Sequence, residues 1–271
     1  MKHFTSFFLL SFSILLMSCG NISAKDLKLK GLAIPGGLIV GWTRSDSKIF
    51  LDKKKIKQGV KGDFLIGFGP DAKTQSNLKV FYKEKLVAEH QFNLVKKFFK
   101  IQKINGLPRR KVIPNAYDLK RIKDERALVK IARKKYIPDA LFVAGFSLPV
   151  EGIITGVYGS RRILNGVPRR PHYGLDIAAK TGTPVKVISD GVVVFTNEDM
   201  FFNGKMLIIN HGLGLTSMYI HLSKIMVETG DRVLKGQEVG LIGSTGRSTG
   251  PHLHLGVMLN KTPLDPEQLF K

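Results

Sequence analysis

The 271-residue sequence carries 43 Lys and Arg against 21 Asp and Glu, a formal net charge of +22 at pH 7, and a single cysteine. One thiol excludes an intramolecular disulfide and any cysteine-ligated structural zinc. So large a positive charge calls for a polyanionic partner. The apolar start of the chain argues that this partner is met outside the cytoplasm and is not nucleic acid.

That start is Met1-Lys2-His3 followed by an apolar run over 4–17. It is too short for a comfortable span of the ~20-residue hydrocarbon core, and it has the charged head and apolar centre of an export signal. A signal peptide is therefore expected over 1–19, with the protein acting in the periplasm or cell envelope. Leu16-Met17-Ser18-Cys19 resembles a lipobox, in which Cys19 becomes a lipidated membrane anchor, while Ile22-Ser23-Ala24 offers an ordinary cleavage site. Both readings stand at this point.

Residues 25–99 alternate short β-branched or aromatic runs with turn residues, the pattern of a small all-β, sandwich-like domain. His90 stands alone there and reads as a surface residue. Over 100–146 the character changes to a basic linker. Leu119, Ile122, Leu128, Ile131 and Ala132 fall at roughly helical spacing, which predicts one basic connecting helix over 118–136, bounded by Pro114 and Pro138. The helix is read as a solvated link or as a strip that holds an anionic envelope surface. Asn105-Gly106-Leu107-Pro108-Arg109-Arg110 is echoed by Asn165-Gly166-Val167-Pro168-Arg169-Arg170, two similar turn-forming loops. From 147 to 271 nearly every segment reads as a strand and a turn, predicting an antiparallel β domain. The fold class is mainly β.

The chemistry gathers in this last region. In Gly250-Pro251-His252-Leu253-His254-Leu255-Gly256 the imidazoles are two residues apart in a strand-like alternation, so they share a face. His172-Tyr173-Gly174-Leu175-Asp176 adds an imidazole and a carboxylate at an even spacing. Together the two segments offer the three protein ligands of an open zinc site, with one imidazole of the later pair left over as an acid, a base or an oxyanion donor. Met218-Tyr219-Ile220-His221-Leu222-Ser223 brings a further histidine at a strand end.

His172 and Asp176, Tyr219-Ile220-His221-Leu222-Ser223, the glycine-rich run over 243–250 and His252-Leu253-His254 resemble, in that order, the lysostaphin-type (LytM-like) zinc metallopeptidases that cut peptidoglycan cross-links. The resemblance spans 147–271. It implies one Zn²⁺ per chain bound by His172, Asp176 and His254, with His221 and His252 catalytic. It implies attack of zinc-bound hydroxide on a peptide carbonyl of the stem peptides, and it leaves His211 as a structural residue. Ile34-Pro35-Gly36-Gly37 and Gly67-Phe68-Gly69-Pro70-Asp71-Ala72 resemble an N-terminal domain that precedes this peptidase in some Gram-negative proteins. That tilts the expected bond toward D-alanyl to diaminopimelate. Some relatives lack metal ligands and act as non-enzymatic activators of other wall hydrolases, which is the alternative function. Arg161, Arg162, Arg169 and Arg170 are expected to border the cleft and meet stem-peptide carboxylates.

Overall fold

The computed structural model describes residues 27–271. The expected export signal and Cys19 lie outside the described residues. Short apolar and β-branched runs separated by Gly, Asn and Asp leave little opportunity for helices. The architecture is mainly β, with one long helix, Ala116–Ala132, and a one-turn helix, Arg109–Val112. The long helix starts where Asn115 caps it, its side chain accepting from the Asp118 amide at 2.9 Å.

The first strands build two small sheets. One has the order Lys28–Gly31, Leu38–Trp42, Asp63–Gly67; the other has the order Lys54–Ile56, Lys48–Leu51, Gln75–Tyr82, Lys85–Asn93. Ile39, Phe64 and Ile66 of the first pack with Ile49, Leu78 and Phe92 of the second. Alternate residues of the same strands, Leu38 and Leu65, turn the other way and join the core of the C-terminal region with Leu259 and Leu264. Strands Leu38–Trp42 and Asp63–Gly67 of the first sheet are thus buried on both faces, while Lys28–Gly31 is the exposed edge. Each such leucine contributes about 1.5–3 kcal/mol by leaving water, so the N-terminal strands are fastened to the C-terminal sheet by packing. Gly67 permits that approach, because a Cβ there would lie 2.9 Å from Leu264 Cδ2.

The C-terminal region is built on an antiparallel sheet of eight strands, beside a smaller one of order Pro184–Lys186, Glu238–Leu241, Lys224–Ile225. The order of the larger is Arg232–Val233, Gly191–Met200, Gly204–Gly212, Leu215–Leu222, His252–Leu259, Leu175–Ala178, Ile153–Gly156, with Thr262–Leu264 paired to His252–Leu259. One face rests on Leu175, Ile177, Tyr219, Leu253, Leu255 and Val257, all essentially without exposure. The opposite positions on these strands carry the chemistry.

The echoed loops lie beside each other. Ile101–Ile104 pairs in parallel with Arg161–Leu164, Ile101 opposite Arg161 and Ile104 opposite Leu164. Asn165 Nδ2 donates to the Leu107 carbonyl at 2.7 Å, and its Oδ1 accepts from the Leu107 amide at 3.3 Å. The segment before the helix is therefore stitched to the edge of the region that holds His172. The helix behind it forms a wall over the chemistry-bearing face.

Candidate metal centre

Strand register brings the ligands together. Asp176 sits directly opposite His254 and Ala178 opposite His252, so Asp176, His252 and His254 share a face. His172, just before the Leu175–Ala178 strand, folds over the same face: its Nε2 lies 3.0 Å from Asp176 Oδ1 and 2.9 Å from His254 Nδ1. His254 Nδ1 is 2.7 Å from the same Oδ1. The other Asp176 oxygen, Oδ2, accepts from Arg162 Nη2.

This donor set fits a zinc ion. His172 Nδ1 donates to the Val157 carbonyl at 3.1 Å, which leaves a lone pair on Nε2 facing a carboxylate oxygen. Two acceptors aimed at each other are satisfied by a cation between them. Space is kept open by missing side chains as well. A Cβ on Gly174 would fall 2.5 Å from His254 Cε1, and one on Gly156 would fall 2.3 Å from Asp176 Oδ2. Two imidazole nitrogens and one carboxylate oxygen, with the remaining side open to a cleft, match a three-ligand zinc site. Among the described residues this is the one grouping of three His, Cys, Asp or Glu ligand atoms that lie within 4.8 Å of one another.

Electrostatics favour the ligating forms. Burial works against the charge on Asp176, yet the polar contacts with His172 and His254 outweigh it and hold the carboxyl well below the usual carboxylate range. Burial lowers His254 to about 4 despite its bond to Asp176, so its ring is neutral at pH 7.

His221 reaches the site by a backbone anomaly. Its neighbours Tyr219 and Leu222 point into the core, and regular alternation would turn its ring away from the face that Ile220 shares with His254. At φ +66° the chain is left-handed at His221, and its ring comes to 4.8 Å from that of His252 and 6.4 Å from that of His254, centroid to centroid. A non-glycine residue held there costs about 1–3 kcal/mol. Its Nδ1 donates to the Thr245 carbonyl at 2.7 Å, which leaves Nε2 free. Burial, then the neighbouring His252 and His254, lowers it to about 3. His252 is held likewise through Nδ1, 2.9 Å from the Gly250 carbonyl and 3.1 Å from Ser248 Oγ.

The cluster opens on two hollows. One, of about 750 Å³, is lined by His172, His221 and His254 and walled by Leu119, Ile122 and Arg126 from the helix side. The other, of about 300 Å³, is lined by Asp176, His221, His252 and Ser248. Arg162, Arg169 and Arg170 line the larger hollow, whereas Arg161 is exposed on the other side of its strand. Arg162 is committed to Asp176 and Arg169 to the Val112 carbonyl. His211 lies outside the cluster, fully buried between the Asp190 carbonyl and Ser217 Oγ. His90 is exposed, its ring centroid 4.6 Å from that of Phe92.

Sequence reasoning missed the roles of Arg162, Val157, Thr245 and Gly250. The last three act through carbonyl groups that every residue carries, so no side-chain signal marks them.

Two histidines and one aspartate that converge as one candidate metal site, with two further imidazoles beside them, match the arrangement of a zinc hydrolase. Residues 170–266 match the model of peptidase family M23. The peptidoglycan DD-endopeptidase ShyA of Vibrio cholerae is 44% identical over 106 residues, 38% of this chain and 24% of that protein. The DD-carboxypeptidase/endopeptidase Mpg of Neisseria meningitidis is 42% identical over 97 residues, 36% of this chain and 22% of that protein. These matches span only about a quarter of either relative's length. A crystal structure of a Pseudomonas aeruginosa protein assigned to peptidase M23 superposes with a TM-score of 0.65 at 30% identity, covering 88% of this chain and 95% of the other. The chain belongs to the M23 zinc metallopeptidase family, with additional N-terminal strands ahead of the matched residues.

Proposed function

We propose that the protein is a zinc-dependent endopeptidase that hydrolyses peptide cross-links of peptidoglycan. The observation that carries this reading is the convergence of His172 Nε2, Asp176 Oδ1 and His254 Nδ1 at 2.7–3.0 Å, with the cluster facing an open cleft. When bound there, zinc supplies Lewis acidity to a substrate carbonyl and to water.

The chain's own residues do the rest. Arg162 fixes Asp176 from behind, so that Oδ1 keeps its aim. His221, neutral through burial and tied through Nδ1, presents an Nε2 lone pair that orients water. His252, anchored through Nδ1 to Gly250, presents Nε2 to take a proton from water and return it to the leaving amine. The relatives named as peptidoglycan DD-endopeptidase and DD-carboxypeptidase/endopeptidase support a DD-bond of the cross-link as the bond cut, and a link between D-alanine and diaminopimelate is the specific form this reading takes.

The place of action under this reading is the periplasm or cell envelope. Retention at the membrane through a lipidated Cys19 is its finer form, and metabolic lipid labelling that disappears in Cys19→Ser checks it. For the reaction itself, the zinc-loaded protein is incubated with purified sacculi and the masses of released muropeptides are measured. Conversion of cross-linked dimers to monomers is expected. Binding to sacculi without release, together with stimulation of another hydrolase, would instead establish the activator alternative.

A further inference from the structure

The cleft continues beyond the histidines. Ile122, Arg126, Arg170, Phe202, Met218 and Arg247 line both the larger hollow and a further one of about 660 Å³ on the other side of them, beside the helix Ala116–Ala132. The floor is the same sheet: Ile220 pairs with His254, Met218 with Gly256 and Thr216 with Met258. At ~3.4 Å per residue, Met258 lies roughly 14 Å along its strand from His254.

Against Met218 and Met258 rests Arg133. Its Nη1 is 2.8 Å from the Met258 sulfur and its Nη2 3.5 Å from the Met218 sulfur, both weak acceptors, while Nε is buried with no hydrogen-bond partner. No carboxylate pairs with Arg133 among the described residues. The Tyr136 hydroxyl, in the same hollow, is also buried and unpartnered. Lys130, Lys134 and Lys261 add positive charge, and the one carboxylate in the lining, Glu125, is occupied by Arg121 and the Phe201 amide.

Arg247 stands between the hollows, its guanidinium 4.3 Å above the Phe202 ring. Burial, followed by the fields of Arg162, Arg169 and Arg126, pulls it down to about 10. Burial also lowers Arg133 from the ordinary arginine value. A guanidinium keeps its proton under such pressure, so both remain charged and both gain by acquiring an anion.

We propose that this second hollow is an anion subsite in which Arg133 and Arg247 hold a carboxylate on the distal arm of the peptide substrate. The inference rests on the endopeptidase reading above and adds to it where the substrate is gripped. Continuity with the metal cleft along one strand favours an extended peptide over a detached ion. The apolar walls at Ile122, Val129 and Phe202 suit its aliphatic parts, and the guanidinium fork suits a carboxylate.

The test compares zinc-loaded full-length wild type, Arg133→Met and Arg133→Lys. The probes are a cross-linked stem-peptide dimer with free carboxylates and the same dimer with them amidated. Turnover gives kcat and KM; calorimetry on dimers N-methylated at the cross-link amide gives binding without cleavage. Arg133→Met is expected to raise KM and weaken binding about tenfold for the acid dimer, with kcat and the amidated dimer unchanged, and Lys restores part of the loss. Its melting temperature stays level or rises, since a methionine beside Met218 and Met258 replaces an unpaired charge. Equal acid-over-amide preference in wild type and Arg133→Met overturns the proposal, as does a loss that comes with unfolding and affects both dimers alike. If wild type cleaves neither dimer, the endopeptidase reading fails while the isotherms still decide the subsite. Arg133-dependent binding of poly(glycerol phosphate), without the same dependence for the acid dimer, also overturns it.

Discussion

Arg162 and Asp176 meet on the side of the carboxylate turned away from the imidazoles: Arg162 Nη2 holds Oδ2 while Oδ1 faces His172 and His254. Arg162 thereby sets the rotation of a metal ligand without being one. Such supporting contacts typically change metal affinity by about 10–100-fold. Arg162→Met is expected to weaken zinc binding within that range while His172 and His254 keep their places. Competition with a fluorescent chelator measures it, and unchanged affinity would show that packing alone orients Asp176.

Gly174 is the second determinant of ligand geometry. A methyl there would sit 2.6 Å from both His254 Nε2 and the Leu255 carbonyl oxygen, and the latter belongs to a paired strand that cannot retreat. Gly174→Ala should therefore displace the His254 ring and lower zinc affinity at least about tenfold. The chelator assay, paired with circular dichroism to show an intact sheet, checks this.

The ligands and the free histidines separate by metal content. His172→Ala and Asp176→Ala are expected to lose both zinc and activity. His221→Ala and His252→Ala are expected to retain zinc and lose about 10²–10⁴-fold in rate, the usual contribution of a positioned proton-transfer group. Zinc stoichiometry by mass spectrometry alongside sacculus digestion distinguishes the two groups, and zinc loss in His252→Ala would make that residue a ligand.

Acid stability depends on His211. Burial lowers it to about 4, so between that value and its ordinary 6.5 the unfolded chain binds a proton that the folded chain refuses. Stability therefore falls as pH drops from 6.5 toward 4, and a shift of this size amounts to about 3 kcal/mol once complete. His211→Gln, which keeps one donor and one acceptor, should lose less melting temperature than wild type between pH 7 and pH 4.5. Parallel losses would place the acid sensitivity elsewhere.

Much of the site was legible because its chemistry is written in side chains with strand spacing. His252 and His254 alternate with Leu253 and Leu255, so a shared face followed from the period alone, and Asp176 could be matched to them by type. What pattern could not show was geometry that arises from the backbone or from distant pairing. Regular alternation would turn His221 away; the left-handed residue that brings it back has no sequence mark. Parallel pairing of Ile101–Ile104 with Arg161–Leu164 joins segments 60 residues apart in register, and only the echoed Asn-Gly turns hinted at it. Leu38 and Leu65 look like ordinary core residues of the N-terminal strands, yet they serve a second core. Arg133 is one of many cations along a basic helix and its C-cap, and its isolation shows only once Met218 and Met258 lie against it.

Under the proposed function, hydrolysis requires a metal held on His172, Asp176 and His254. Its most direct test is the muropeptide profile of purified sacculi digested in parallel by zinc-loaded wild type and Asp176→Ala, with bound zinc measured in the same samples. The expected result is one zinc per wild-type chain with cross-linked dimers converted to monomers, and neither zinc nor conversion in the variant. Dimer cleavage by Asp176→Ala at the wild-type rate would contradict it.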